Sequence, residues 1–254
     1  MKVLLIGDSC EDRYFYGDVK RLNPEAPVPI LEYRRGVTSK GMVWNVRENH
    51  RSFGVEVYVS THPEEIIKTR YIDEKSNQQI LRVDDESICE LIPYNQPFHK
   101  RSTTDPLSDD WYDALVISDY DKGFLTIEKI FELVEWFEGP VFIDSKKTKL
   151  PKKSCYVKIN EDEYKKLDNP SKNFIVTKGG KGAEYKGKLY PAEKVNVFDV
   201  VGAGDTFLSA LVYFYLLYGK IEDAIPYANK AAAVAVQNFG TYVLTQGDID
   251  EILC

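Results

Sequence analysis

One stretch limits the possible fold more than any other. It is Phe198-Asp199-Val200-Val201-Gly202-Ala203-Gly204-Asp205-Thr206-Phe207, which runs directly into Leu208-Ser209-Ala210-Leu211-Val212-Tyr213-Phe214-Tyr215-Leu216-Leu217. The second part reads as a buried helix, and the preceding Lys194-Val195-Asn196-Val197 reads as a short strand. A helix opened by a Gly-Ala-Gly turn leaves several backbone N–H groups without intrahelical partners. With the helix dipole behind them, these groups form an anion site. Gly202, Ala203 and Gly204 are small enough for a phosphoryl group to approach the backbone closely. Asp205 would repel such a group, so its carboxylate makes more sense as a base that takes a proton from an attacking hydroxyl. Read locally, an acid simply favoured at a helix N-terminus remains an equal alternative.

The rest of the chain alternates strands and helices. Val3-Leu4-Leu5-Ile6, Ala114-Leu115-Val116-Ile117-Ser118-Asp119, Val141-Phe142-Ile143-Asp144, Tyr156-Val157-Lys158-Ile159 and Phe174-Ile175-Val176-Thr177 are short and mostly apolar, as buried parallel strands are. Thr126 to Glu138 places Ile127, Ile130, Phe131, Val134 and Phe137 on one helical face, and Gly139-Pro140 ends it. A last, alanine-rich helix is expected from Ala224 to Gln237, with Gly240 as its stop. The alternation predicts an α/β domain with a mostly parallel sheet. Residues 13–38 and 68–84 instead read as extended chain, with Asp73-Glu74-Lys75-Ser76-Asn77 as a hairpin turn. They predict a small β-sheet beside the main domain, suited to a lid or to a dimer contact. Residues 85–110, with Pro93, Pro97 and Pro106, read as irregular.

Composition narrows the function classes. The net charge of -7 argues against nucleic acid as a main partner. The longest apolar run, in the 207–218 helix, is too short for a bilayer, and the N-terminal run ends in Gly7-Asp8 as a strand does rather than a signal peptide. Cys10, Cys89, Cys155 and Cys254 are scattered without metal-type spacing and are read as free thiols in a reducing cytoplasm.

The longer string Asp-x-x-Gly-Ala-Gly-Asp resembles the C-terminal signature of the ribokinase-like (PfkB) carbohydrate kinases. Further strings resemble one branch of them, the D-glycero-β-D-manno-heptose 7-phosphate kinases. These are Gly7-Asp8 with Asp12-Arg13-Tyr14, Pro24-Glu25-Ala26-Pro27-Val28-Pro29, Lys68-Thr69-Arg70, Asn77-Gln78-Gln79 with Leu81-Arg82-Val83-Asp84, and Ser118-Asp119-Tyr120 with Lys122-Gly123. The resemblance spans nearly the whole chain. It implies a three-layer ribokinase-like fold with a small β-lid, 1–254 as one kinase domain, ATP and Mg²⁺ as cofactors, a possible monovalent cation near Asp199, a sugar or sugar-phosphate acceptor, and a homodimer. The short apolar runs imply no membrane partner, and no adenylyltransferase module is expected to follow the kinase.

The resemblance also assigns roles. Asp205 would be the catalytic base, with the 202–204 backbone on the transferring phosphoryl. Asp12, Gly41, Asn45 and Lys122 would bind the acceptor. Lys146, Asn160, Thr177, Gly179, Gly182 and Asn229 would bind the nucleotide, and Glu163 the metal. Residue by residue, plainer readings stand beside these. Asn160-Glu161-Asp162-Glu163 is also an acidic helix start. Thr177 to Gly182 is also a glycine hairpin, and Ala231-Ala232-Ala233 also suits close helix packing.

Two departures stand out. Gly41-Met42-Val43-Trp44-Asn45 carries Met42, Val43 and Trp44 where the family has glycine and small residues. The following helix, Arg47-Glu48-Asn49-His50-Arg51-Ser52, is polar and leads through Phe53 to Val59 almost directly to Lys68. About one βα unit of the family is missing here, and the polar helix is expected to face the surface that the missing unit would cover. The departures leave open a kinase for a different small sugar, or a non-catalytic binding protein on a reduced scaffold.

Overall fold

In the computed structural model, which describes residues 1–92 and 111–253, the first strand sets the layering. β1 (Lys2–Gly7) is buried on both faces. Val3 and Leu5 point into one core, and Leu4 and Ile6 into a second. This is the alternation that a sheet covered on both sides requires.

From β1 the chain passes directly into β2 (Ser9–Leu22) and returns as β3 (Pro29–Met42). Helix α1 (Val43–Ser52) and β4 (Glu56–Ser60) lead back to the first sheet. The hairpin β5 (Ile67–Asp73) and β6 (Gln78–Asp85) then joins β2 and β3. The small sheet has the order β3-β2-β5-β6, with β2 and β5 parallel and the other pairs antiparallel.

The remaining chain builds the main domain. β7 (Ala114–Asp119), α2 (Ile127–Trp136), β8 (Val141–Ser145), β9 (Tyr156–Asn160), α3 (Glu161–Tyr164) and β10 (Ile175–Thr177) follow in turn. The hairpin β11 (Ala183–Tyr185) and β12 (Lys188–Tyr190) comes next. Helices α4 (Ala203–Tyr218), α5 (Ile221–Ala235) and α6 (Gln246–Leu253) close the chain. The main sheet has the order β12-β11-β10-β9-β8-β7-β1-β4, parallel from β4 to β10 and antiparallel through the hairpin. Helices α1, α4, α5 and α6 pack on one face of it, and α2 on the other. The result is the expected three-layer α/β arrangement with a small second sheet. Helix α2 starts where expected, with the Thr126 side chain accepting from Lys129 N–H at the N-cap.

Three expectations are corrected. Lys194 to Val197 forms no strand. The alternating Val195 and Val197 imitate one, but the chain beyond them bonds to the end of a helix, with the Phe198 and Asp199 N–H groups both donating to Val236 O. Gly240 does not stop α5, which ends at Ala235, and α6 follows as a further helix. The polar stretch of α1 is a surface only in part: Arg51 is exposed, but Asn49 and His50 are both 0% exposed. They are accommodated because Asn49 donates to Asn45 O and Tyr242 O, and His50 Nδ1 lies 2.9 Å from Val46 O. Pro93, Pro97, Pro106 and Cys254 lie outside the described residues. Among the described residues no helix is long and apolar enough to cross a membrane.

Candidate active site

The centre of the site is the start of α4. Gly202 takes φ +77 at the N-cap, a conformation that side chains resist. The turn brings Asp205 under the sheet, where it is only 5% exposed. Its two carboxylate oxygens are clamped from opposite sides. Asn45 Nδ2 of α1 donates to Oδ2 at 2.8 Å, and the Tyr120 hydroxyl, just past β7, donates to Oδ1 at 2.9 Å. Burial pushes the Asp205 pKa up, with Asp144 adding to the effect, while Asn45, Lys158 and Tyr120 oppose it. A carboxylate so placed is a candidate proton acceptor.

On one side of this turn lies a cavity of about 350 Å³. Ala203 and Gly204 close its inner end. Thr177, Gly179 and Gly182 form one wall, and Asn229, Ala232 and Ala233 of α5 another. The 194–197 segment, expected as a strand, supplies part of the lining. Asn229 lines the cavity with its amide already in use, donating to Tyr190 O at 2.9 Å and to Pro191 O at 3.3 Å.

The other side of Asp205 belongs to the small sheet. Asp12 sits in β2 rather than in a loop after β1, and it accepts from Arg70 Nη1 at 2.5 Å. Gly41 lies opposite Cys10, and a Cβ on it would come within 2.1 Å of Asp12 Oδ2. Next to it Met42 takes φ 56, a left-handed conformation that is costly for a side chain of this size. Trp44 is half-buried, with Lys40 Nζ 4.7 Å and Arg47 Cζ 5.6 Å from its ring centre. Both cations, with Asn45, line a cleft of about 330 Å³.

Several predicted residues are held by local partners. Lys122 Nζ pairs with Glu86 at 2.5 Å. Asn160 caps α3 in a reciprocal capping box with Glu163, whose other oxygen pairs with Lys146. Asp199 accepts from Val201 N–H and Gly240 N–H, both at 3.0 Å. Sequence reasoning passed over Tyr120, Asp144 and Lys158. In the sequence Lys158 reads only as part of the Tyr156-Val157-Lys158-Ile159 strand, and its ammonium is buried against Asp144 Oδ2 at 2.6 Å. The only sequence signal for Tyr120 was its place inside the Ser118-Asp119-Tyr120 string.

Comparison with known proteins agrees with this geometry. Residues 154–246, which include the α4 turn and most of the cavity, match the model of the pfkB family carbohydrate kinases. The chain is a ribokinase-like relative of the pfkB carbohydrate kinases. The bifunctional protein HldE of a Nitratiruptor species is 28% identical over 299 residues, covering 98% of this chain and 64% of the relative. The chain thus spans less than two thirds of the length of that relative. About 249 of its 254 residues fill that alignment, so about 50 positions stand opposite gaps in this chain. A shortened scaffold of this kind was expected from the 53–68 region. Phosphofructokinase-2 from Escherichia coli in complex with potassium superposes with a TM-score of 0.70 at 17% identity, over 98% of this chain and 97% of that one. Arabidopsis thaliana ribokinase complexed with ribose and ATP gives 0.65 at 16%, over 99% and 98%. The family model is that of carbohydrate kinases, and the neighbours share the fold.

Proposed function

We propose that this protein is an ATP-dependent carbohydrate kinase that transfers the γ-phosphoryl group to a hydroxyl of a sugar or sugar phosphate, with Asp205 as base. The observation that carries this reading is the buried Asp205 carboxylate at the N-terminus of α4, beside a cavity whose inner end is Ala203 and Gly204. The adenine would lie against Ala232 and Ala233, near the Thr177–Gly182 loop and Asn229. The phosphates would then reach the N-terminal end of α4 at Ala203 and Gly204. The acceptor would enter from the small sheet, by Asp12, Gly41 and Asn45. Asp205 takes the hydroxyl proton, the oxygen attacks the γ-phosphorus, and the bond to the leaving oxygen of ADP breaks. Lys122 joins the acceptor only by leaving Glu86.

Mg²⁺ would be held by Glu163, once freed from Lys146, with Asn160 beside it, and by Asp144 Oδ1, which has no partner among the described residues. When bound it would neutralise phosphate charge. Asp199 has both oxygens on backbone N–H groups, so a monovalent cation beside it would take its ligands from other oxygens. The small sheet would act as a lid, and its apolar cluster of Phe15, Leu31, Tyr33 and Tyr71 suits a contact in a homodimer. ATP-dependent chemistry and free Cys10, Cys89 and Cys155 fit the cytoplasm.

The acceptor we propose is heptose 7-phosphate or a related sugar, on the strength of the motif strings within residues 7–29 and 68–84. Met42 and Trp44 favour a second reading of the same chemistry, a different small sugar. ADP release from ATP and Mg²⁺ across a panel of sugars and sugar phosphates, with Asp205→Asn as control, separates these. Asp205-dependent turnover of heptose 7-phosphate supports the first acceptor, and turnover of another sugar alone supports the second. Nucleotide binding without turnover on any acceptor refutes the kinase reading.

A further inference from the structure

Lys158 is an unusual residue to find inside a parallel strand. It is 5% exposed between the fully buried Val157 and Ile159. Its ammonium donates to Asp144 Oδ2 at 2.6 Å, while Asp144 Oδ1 has no partner among the described residues. A Cβ placed on Gly204 would lie 2.8 Å from Lys158 Nζ. The ammonium therefore rests on the first turn of α4, one residue before Asp205, at the spot that only a glycine leaves free.

A buried ion pair adds little to stability and is often replaceable by apolar residues of similar volume. One with an unsatisfied oxygen is a worse bargain still. Packing therefore gives a poor account of Lys158, whereas charge gives a good one. The cation lies beside the first turn of α4, whose N-terminal end carries partial positive charge of its own.

We propose that Lys158 is a catalytic residue whose ammonium contacts the transferring phosphoryl group over Gly204. The proposal rests on the kinase reading above. Lys158 stays protonated throughout: the hydroxyl proton goes to Asp205, and the electron pair of the broken P–O bond leaves with ADP. The lysine supplies fixed positive charge where negative charge builds up, without reorganisation during the step. Asp144 holds the ammonium in place and is a positioning residue.

The test compares Lys158→Met and Lys158→Arg with the intact chain. Affinities for adenosine and for a non-hydrolysable ATP analogue are measured by calorimetry, alongside kcat, the pH profile of kcat/KM, and Tm. Lys158→Met is expected to lower kcat by about 100- to 1,000-fold. It should weaken the ATP analogue at least about tenfold while leaving adenosine unchanged, because only the phosphates meet the ammonium. The acid limb of kcat/KM should move to higher pH, since Lys158 opposes the upward shift of Asp205. Lys158→Arg should recover part of the analogue affinity. Unchanged analogue affinity in a folded Lys158→Met overturns the proposal. So does an equal loss of adenosine and analogue with a lowered Tm, which marks a purely structural lysine. If the intact chain phosphorylates no acceptor, the kinase reading fails, yet the comparison of analogue with adenosine still decides whether Lys158 meets phosphate.

Discussion

The two sides of Asp205 are built differently. The cavity side is rich in small residues, with Gly179, Gly180, Gly182, Ala203, Gly204 and Ala232 set among larger ones such as Glu193, Lys194 and Phe207. The small-sheet side carries bulk and charge in the same role. Met42 bends into a left-handed conformation, Trp44 sits under Lys40 and Arg47, and α1 buries Asn49 and His50. On the kinase reading, the first side would hold the nucleotide and the second the acceptor, the ligand that specificity must distinguish.

The sharpest break between the sides would come from Asp205→Asn, which keeps the clamp's shape but removes the base. Turnover should fall about 1,000-fold, with ATP affinity nearly unchanged, as measured by ADP release and calorimetry. Normal turnover in that variant would remove Asp205 from the chemistry and with it the reason to divide the molecule there.

A pH scan tests the small-sheet side alone. His50 is fully buried, and burial lowers its pKa from 6.5 to about 4. Below about pH 6.5 the unfolded chain takes up a proton that the folded chain refuses, so stability falls as pH drops towards 4. The full effect is about 3 kcal/mol, reached near pH 4. Chemical denaturation at pH 7 and pH 5 should show this loss, and His50→Gln should remove this part of the pH dependence. A His50→Gln curve that parallels the parent would mean that the imidazole titrates freely.

Two substitutions should separate the ligands. Ala232→Leu fills the cavity and should weaken ATP by about tenfold, about 1.4 kcal/mol, with the acceptor KM unchanged. Trp44→Ala should raise the acceptor KM by a similar factor and leave the ATP KM alone. Crossed effects would show that the cleft by Trp44 and the cavity by Ala232 hold the same ligand. The smallest effect belongs to Met42→Gly. Relief of about 1–2 kcal/mol of backbone strain is offset by the loss of a buried side chain, and thermal unfolding should shift by only a few degrees.

The same division explains what could be read from the sequence. Gly202 to Asp205, the Thr177 loop and the Ala231-Ala232-Ala233 helix are contiguous strings, and the structure brings them around one cavity. The strands of the main sheet announced themselves by apolar runs, and the 73–77 hairpin by its turn. What failed depended on distant partners. Lys158 carries no signal of its own within an apolar strand until Asp144, near the end of the neighbouring strand, is seen beside it. Asn49 and His50 read as surface until α1 is packed against α4, where Thr206 donates to Asn49 and Ser209 to the backbone of α1. Lys194 to Val197 has the alternation of a strand, but a strand needs an edge to pair with, and its neighbour is the end of α5. Tyr120 could not be assigned to Asp205 from residues 85 positions apart.

The double clamp on Asp205 has a further consequence for a kinase. With Asn45 on one oxygen and Tyr120 on the other, about two of the four acceptor sites of the carboxylate are filled and its plane is fixed. The lone pairs left over already point in set directions. A hydroxyl arriving there would meet a base that need not turn to receive its proton, so little reorganisation would be left to the chemical step.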